Sequence, residues 1–292
     1  MKPPPFEYHA PRTVDEVLDL LAEHGDDARP LAGGQSLVPL MSLRLAGPAV
    51  LVDVTRAGLD TVTTEDGWLT LGATVRERAA ERSALVAERA PLLAAALPLV
   101  GHPAIRARGT VGGSLAHADP AGELPAVVVA LDAEVVAASR ARGRRTIAAA
   151  DLYDGYFTTV LEPDEVLTEV RLPAPPPASG AAFEEVARRH GDFAMAGVAA
   201  TVALGPDGSV TEARLALSGV AETPVRAREA EAVLVGRVPD DGALAAAAEA
   251  ATAGLSPPSD LHGSSAYRRH VAGVLVRRAL RAAAERAGGD RG

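Results

Sequence analysis

Two glycine pairs, each closely followed by a serine, are the residues of this chain best suited to chemistry: Leu31-Ala32-Gly33-Gly34-Gln35-Ser36 and Thr110-Val111-Gly112-Gly113-Ser114. A backbone without side chains lets successive N–H groups turn toward one anion, and a neighbouring hydroxyl adds a donor without adding charge. Each hydrogen bond to a charged phosphate contributes roughly 1.5–3 kcal/mol, so four or five could hold a diphosphate although neither segment contains a lysine. Taken singly, each pair reads as an ordinary turn, because Gly-Gly is a common loop signal. Taken together, they are expected to converge on one ligand from two sides.

Other chemistries fare worse. The Rossmann fingerprint G-x-G-x-x-G, the P-loop G-x-x-x-x-G-K-[ST] and the zinc motif H-E-x-x-H are all absent. Gly112-Gly113-Ser114-Leu115-Ala116 falls one residue short of a hydrolase nucleophile elbow, since Ala116 stands where the second glycine belongs. His190 also precedes Asp192, which leaves Asp119, Asp151 and Asp154 as unsupported acids for such a triad. His102 and His117 flank the second pair without metal-ligand spacing and read as packing or hydrogen-bonding residues. Asp119, followed by Pro120 and an apolar run to Ala130, reads as a helix N-cap.

The 292 residues carry a formal charge of −9, which argues against a nucleic-acid partner. Arg140, Arg142, Arg144 and Arg145 form only a short cluster, expected on a solvated hairpin edge. The chain has no cysteine, so disulfides, thiolate nucleophiles and iron–sulfur ligation are excluded, and any cluster must sit on a partner. The N-terminus lacks the apolar run of a signal peptide and no stretch reads as transmembrane, so the expected location is the cytoplasm.

The elements that must position the glycine pairs follow from local pattern. Thr13 and Glu16 have capping-box spacing before Val14, Val17, Leu18 and Leu21, which predicts a helix ending at Gly25. Strands at 29–32 and 49–54 would hang the first pair from a β–α–β unit. Asp66-Gly67 predicts a hairpin, so pairing nearby is mixed or antiparallel. Thr74 and Glu77 repeat the capping-box spacing ahead of an Ala/Leu-rich helical stretch that meets Pro91 and Pro98. The proline run beginning at Pro173 marks a domain boundary, beyond which strands are predicted at 182–189, 198–204 and 210–217. A final helix at 264–284 is expected to pack His270 inward.

The two glycine segments, extended through Leu37-Val38-Pro39-Leu40-Met41 and Leu115-Ala116-His117-Ala118-Asp119-Pro120, closely resemble the flavin-binding medium subunits of the molybdenum hydroxylases, nearest to the carbon monoxide dehydrogenase type. Arg188-Arg189-His190-Gly191-Asp192-Phe193-Ala194 resembles the signature that opens the C-terminal domain of that family. The resemblance implies an α+β chain with a PCMH-type FAD-binding region of two α/β subdomains, about 1–56 and 57–173. A linker at 174–180 and a C-terminal α+β domain at 181–292, with a small antiparallel sheet and helices, would follow.

By the same resemblance FAD is held through its diphosphate and ribityl chain by Leu31, Ala32, Gly33, Gly34, Gln35, Ser36 and Leu37 and by Thr110, Val111, Gly112, Gly113 and Ser114. Glu123 faces the adenosine side with Asp119 near it, Val100 and Leu167 pack on the cofactor, and Asp192 and Phe193 lie near the isoalloxazine. Glu184 stands where many relatives carry lysine. No catalytic side chain and no metal ligand is implied. Electrons would come from a molybdenum-cofactor large subunit through an iron–sulfur small subunit, and FAD would pass them to an external acceptor. A stand-alone FAD-dependent reductase or oxidase and a flavin-free assembly module are the alternatives.

Overall fold

The computed structural model describes residues 2–289, so the last three residues of the expected C-terminal domain lie outside the described residues. Near the start, Thr13 accepts the Glu16 N–H while the Glu16 carboxylate takes the Thr13 N–H, and this reciprocal cap begins the helix Val14–His24. Its Val17, Leu18 and Leu21 are buried against Val50, Val52 and Val54. The strand Val50–Asp53 is the centre of a three-stranded parallel sheet, flanked by Glu7–His9 and Ala28–Leu31. Parallel neighbours need a crossover, and the helix Leu37–Ser42 lies within it. The first glycine pair therefore leaves the end of a strand in a β–α–β unit, as its flanking pattern predicts.

The second sheet has five antiparallel strands in the order Val62–Glu65, Trp68–Gly72, Glu165–Pro173, Glu134–Ser139 and Gly143–Ala148. Asp66 and Gly67, at φ 48° and 82°, make the predicted two-residue hairpin turn. The arginine cluster lies in the hairpin of the last two strands and on its edge, and carboxylates of the same chain answer it. Arg140 pairs with Asp15 and Asp19, Arg145 with Glu165, and Arg142 and Arg144 with Asp164 and Glu169. No free basic patch results from this cluster.

A third, four-stranded antiparallel sheet runs Ser179–Val186, Ala196–Leu204, Val210–Ser218 and Val225–Arg226. Both of its faces are covered. Ala199 joins the main core with the helices Pro91–Ala96 and Glu123–Ala130, whereas its neighbours Val198, Ala200 and Val202 join a second core under the helix Ser265–Gly288. Burying a valine side chain contributes about 1.5–3 kcal/mol, so this alternation fastens the sheet to both layers. Gly180 lets that helix approach, since a Cβ there would stand 2.5 Å from the Ala287 nitrogen.

Four local expectations are corrected. Thr74 caps no helix: its hydroxyl is buried without a partner, and the helix Glu77–Glu81 starts from Arg76, whose backbone is extended. Asp119 caps a turn, accepting the Ala121 N–H at 2.9 Å, while Gly122 occupies the N-cap of Glu123–Ala130. His270 is exposed, because the helix turns its buried stripe to Val271, Leu275 and Ala279 instead. The first strand of the third sheet leaves the ladder at Val186, which frees the 187–194 segment to turn back over the N-terminal region.

Candidate functional site

The two glycine segments touch. A Cβ on Gly33 would lie 2.7 Å from the Gly109 Cα and would collide with the Arg108 carbonyl, and one on Gly113 would meet the Ala32 Cβ at 3.5 Å. Gly34 adopts φ 71°, a left-handed turn that side chains disfavour. The Gln35 amide donates to the Gly33 carbonyl at 3.1 Å, and the Val38 N–H donates to the Gly34 carbonyl at 3.2 Å. The N–H groups of Gly33, Gly34, Gln35 and Ser36 meet no acceptor among the described residues. Here is a row of backbone donors of the kind an anion requires.

The second pair is built differently from the expected loop. Gly112, Gly113 and Ser114 lie inside the helix Val111–His117, and the side chain of Thr110 caps it by accepting the Gly113 N–H at 3.1 Å. The other early donors are also engaged: Val111 N–H to Val75 O, Gly112 N–H to Ala73 O, and Ser114 N–H to Thr110 O, each at 3.0 Å. The glycines serve close packing, since a Cβ on Gly112 would meet that of Ala73 at 2.6 Å. What this segment offers a ligand is therefore hydroxyls, not backbone N–H groups.

Ser114 is paired with a residue that spacing alone assigned to a cap. Its hydroxyl donates to Glu77 Oε1 at 2.6 Å, and Glu77 Oε2 is buried without a partner. Burial pushes the Glu77 carboxyl up to about 7 against the opposing hydrogen bond from Ser114 and the charge of Arg106. Arg106 is itself committed, bound to Glu81 at 2.9 Å and to the Val100 carbonyl at 2.9 Å. Glu123 is buried close by. Desolvation pushes its carboxyl up to about 8, and Glu185, Glu77 and Asp119 add to that.

The helix Val111–His117 carries the chain toward a cavity of about 550 Å³ lined in part by Ala121, Phe157, Arg188, Asp192 and Phe193. The Phe157 N–H donates to the Ala118 carbonyl at 3.2 Å, and its ring lies 5.3 Å from that of His117. Gly191, at φ 85°, turns the 188–193 segment against the Gly101 carbonyl and His102. Asp192 and Phe193 are thus brought to the same end of the helix as Asp119. Val100 sits at the edge of the main core, whereas Leu167 lies within it and is 5% exposed.

The comparisons with known proteins cover nearly the whole chain. Residues 4–175 match the FAD binding domain in molybdopterin dehydrogenase, and residues 181–283 match the CO dehydrogenase flavoprotein C-terminal domain. The chain belongs to this flavoprotein family. Among its relatives, the alpha subunit of the 6-hydroxypseudooxynicotine dehydrogenase complex of Paenarthrobacter nicotinovorans is 43% identical over 98% of this chain and 97% of its own. Carbon monoxide dehydrogenase from Hydrogenophaga pseudoflava superposes with a TM-score of 0.95 at 42% identity, covering 98% of this chain and 99% of the other. Quinoline 2-oxidoreductase from Pseudomonas putida 86 gives 0.94 at 42% identity, with 98% and 99% covered.

As a member of this flavoprotein family the chain is an oxidoreductase subunit whose cofactor is FAD. Its residues fit that group: a row of unengaged N–H groups suits a diphosphate, and a half-apolar cavity with an aromatic wall suits a flavin ring. Glu77 is the site residue that sequence reasoning missed as such. Its link to Ser114 spans 37 positions, and no local pattern signals it. No helix among the described residues is long and apolar enough to cross a membrane.

Proposed function

We propose that the chain holds FAD between its two glycine segments and passes electrons from partner-borne iron–sulfur clusters to an external acceptor. The single observation that carries the reading is the crossing of Gly33 and Gly109, which sets the segment with four unengaged N–H groups against the segment that carries Ser114. In this reading the 31–37 segment takes the diphosphate, and the hydroxyls of Thr110 and Ser114 reach it from the other side. Glu123 and Asp119 border the adenosine side, Val100 and Leu167 form and back the apolar wall, and Asp192 with Phe193 flanks the ring in the cavity. When bound, FAD supplies the exchange of electrons, and the chain's residues orient it and limit water around it.

The molybdenum cofactor and iron–sulfur clusters belong to a large and a small partner subunit. The absence of cysteine from all 292 residues supports that division, because clusters of this kind are held by thiolates. The test is the visible spectrum of the purified protein with acid release of its chromophore, followed by co-purification with both partners. FAD near one per chain is the expected result. A colourless protein that also refuses added FAD overturns the reading.

A further inference from the structure

Ser114 has one proton to donate, and in this structure Glu77 receives it. The two oxygens stand 2.6 Å apart, and the Glu77 side chain, with the residue only 2% exposed, has no other partner for Oε2 among the described residues. The carboxyl is fixed in place. The Glu77 N–H donates to the Gly109 carbonyl at 3.0 Å, and Gly109 must lack a side chain because its Cβ would lie 2.8 Å from Glu77 Cδ.

With Glu77 ionised, Ser114 points its proton inward and turns only lone pairs outward, which repel a phosphate oxygen. With Glu77 protonated, the carboxyl O–H donates to Ser114 Oγ and the serine proton is released for the ligand. The N–H groups of residues 111–114 are all engaged, so none can substitute for that hydroxyl. We propose that Glu77 is a positioning residue that couples the binding of FAD to the uptake of one proton by setting the direction of the Ser114 hydroxyl. The proposal rests on the reading that Ser114 faces the diphosphate.

The surrounding charges allow this. Arg106, on the helix Pro103–Arg106, favours the ionised carboxyl, but Glu81 neutralises it at 2.9 Å and Arg78 joins the same ion pair at 2.8 Å. Arg76 donates to the Arg108 carbonyl. Glu123, on the helix Glu123–Ala130, interacts with Glu185, Glu77 and Asp119, but its carboxyl, pushed up to about 8 by burial, is the later of the two to ionise and sets no charge against Glu77 while Glu77 titrates. Burial dominates and puts the transition near neutrality. Linkage then fixes the sign: affinity is full below about pH 7 and falls as pH rises through the value of the FAD-bound form, by at most about tenfold per pH unit.

The test titrates FAD into the full-chain apoprotein by calorimetry from about pH 6 to about pH 8.5, in two buffers of different ionisation heat. The expected result is a dissociation constant that rises above neutrality with uptake of up to one proton. E77Q, whose amide can donate to Ser114 and cannot ionise, should bind with a flat profile. S114A should bind about tenfold more weakly near pH 6, also with a flat profile, for the loss of one charge-assisted bond. If E77Q does not fold by circular dichroism, the lost slope in S114A still decides. A flat wild-type profile, or a slope that persists in both variants, overturns the proposal and leaves the FAD site standing. S114A binding as tightly as wild type near pH 6 overturns the placement of the diphosphate itself.

Discussion

Gly33 crosses Gly109 with no space for a side chain between them, since a Cβ on the first would stand 2.7 Å from the Cα of the second. The crossing joins a segment leaving the parallel sheet to one that enters the helix Val111–His117. Gly33 is thus demanded by tertiary approach, while Gly34 at φ 71° is demanded by the turn itself. One glycine brings the segments together and the other aims the donors.

Gly33→Ala should therefore lower stability by about 2 kcal/mol through overpacking against backbone and lose bound FAD. Urea midpoints together with the ratio of flavin to protein absorbance check both effects. Gly254→Ala is the control, because nothing lies within 4 Å of a Cβ there. A Gly33→Ala protein with unchanged midpoint and full flavin content would contradict the crossing.

Thr110→Ala tests whether the second glycine pair is held as a helix. Its hydroxyl accepts the Gly113 N–H at 3.1 Å, and two glycines in one short helix make that cap matter more than usual. The expected loss is about 1 kcal/mol in urea unfolding. Hydrogen exchange at the Gly113 amide should quicken in the same variant, whereas a loop held by tertiary contacts alone would show no change there.

The parts of this fold that lie close together in sequence were legible. Thr13 and Glu16 cap their helix three residues apart, and Asp66-Gly67 turns its hairpin within two, so local pattern carries the whole signal. Gly112-Gly113 reads as a loop because glycine is a poor helix former. The carbonyls of Ala73 and Val75 and the Thr110 cap hold it helical, and their contribution is tertiary. Glu77 sits at a capping-box position, yet its carboxyl turns to Ser114, since Arg76 rather than Thr74 begins the helix. Ionisable burial of this sort depends on partners far along the chain, which spacing does not encode.

Glu123 makes the pH dependence of stability testable. Its carboxyl is pushed from the ordinary 4.5 up to about 8, first by burial and then by Glu185, Glu77 and Asp119. A carboxyl raised on folding imposes no penalty below its unfolded value, a growing one up to its folded value, and a constant one above. Glu123→Gln should therefore stabilise the protein by up to about 4 kcal/mol near pH 8 and by nothing near pH 4. Urea midpoints at the two pH values measure the difference. An equal gain at both would assign the effect to packing instead of ionisation.

Phe193 separates ligand contact from fold. The residue is 58% exposed at the cavity, so removing its ring forfeits little buried area. Phe193→Ala should leave the urea midpoint within about 0.5 kcal/mol of wild type. If the ring stands against the isoalloxazine, the same change removes an aromatic stacking partner worth about 0.5–1.5 kcal/mol and exposes the flavin to water. The variant should then keep FAD near one per chain while its flavin fluorescence rises and its visible bands shift. Spectra identical to wild type would place the ring away from the flavin and assign the cavity to something other than the cofactor. Asp192→Asn, at the neighbouring position, distinguishes a local charge effect from stacking, because it alters the field at the cavity without touching the ring.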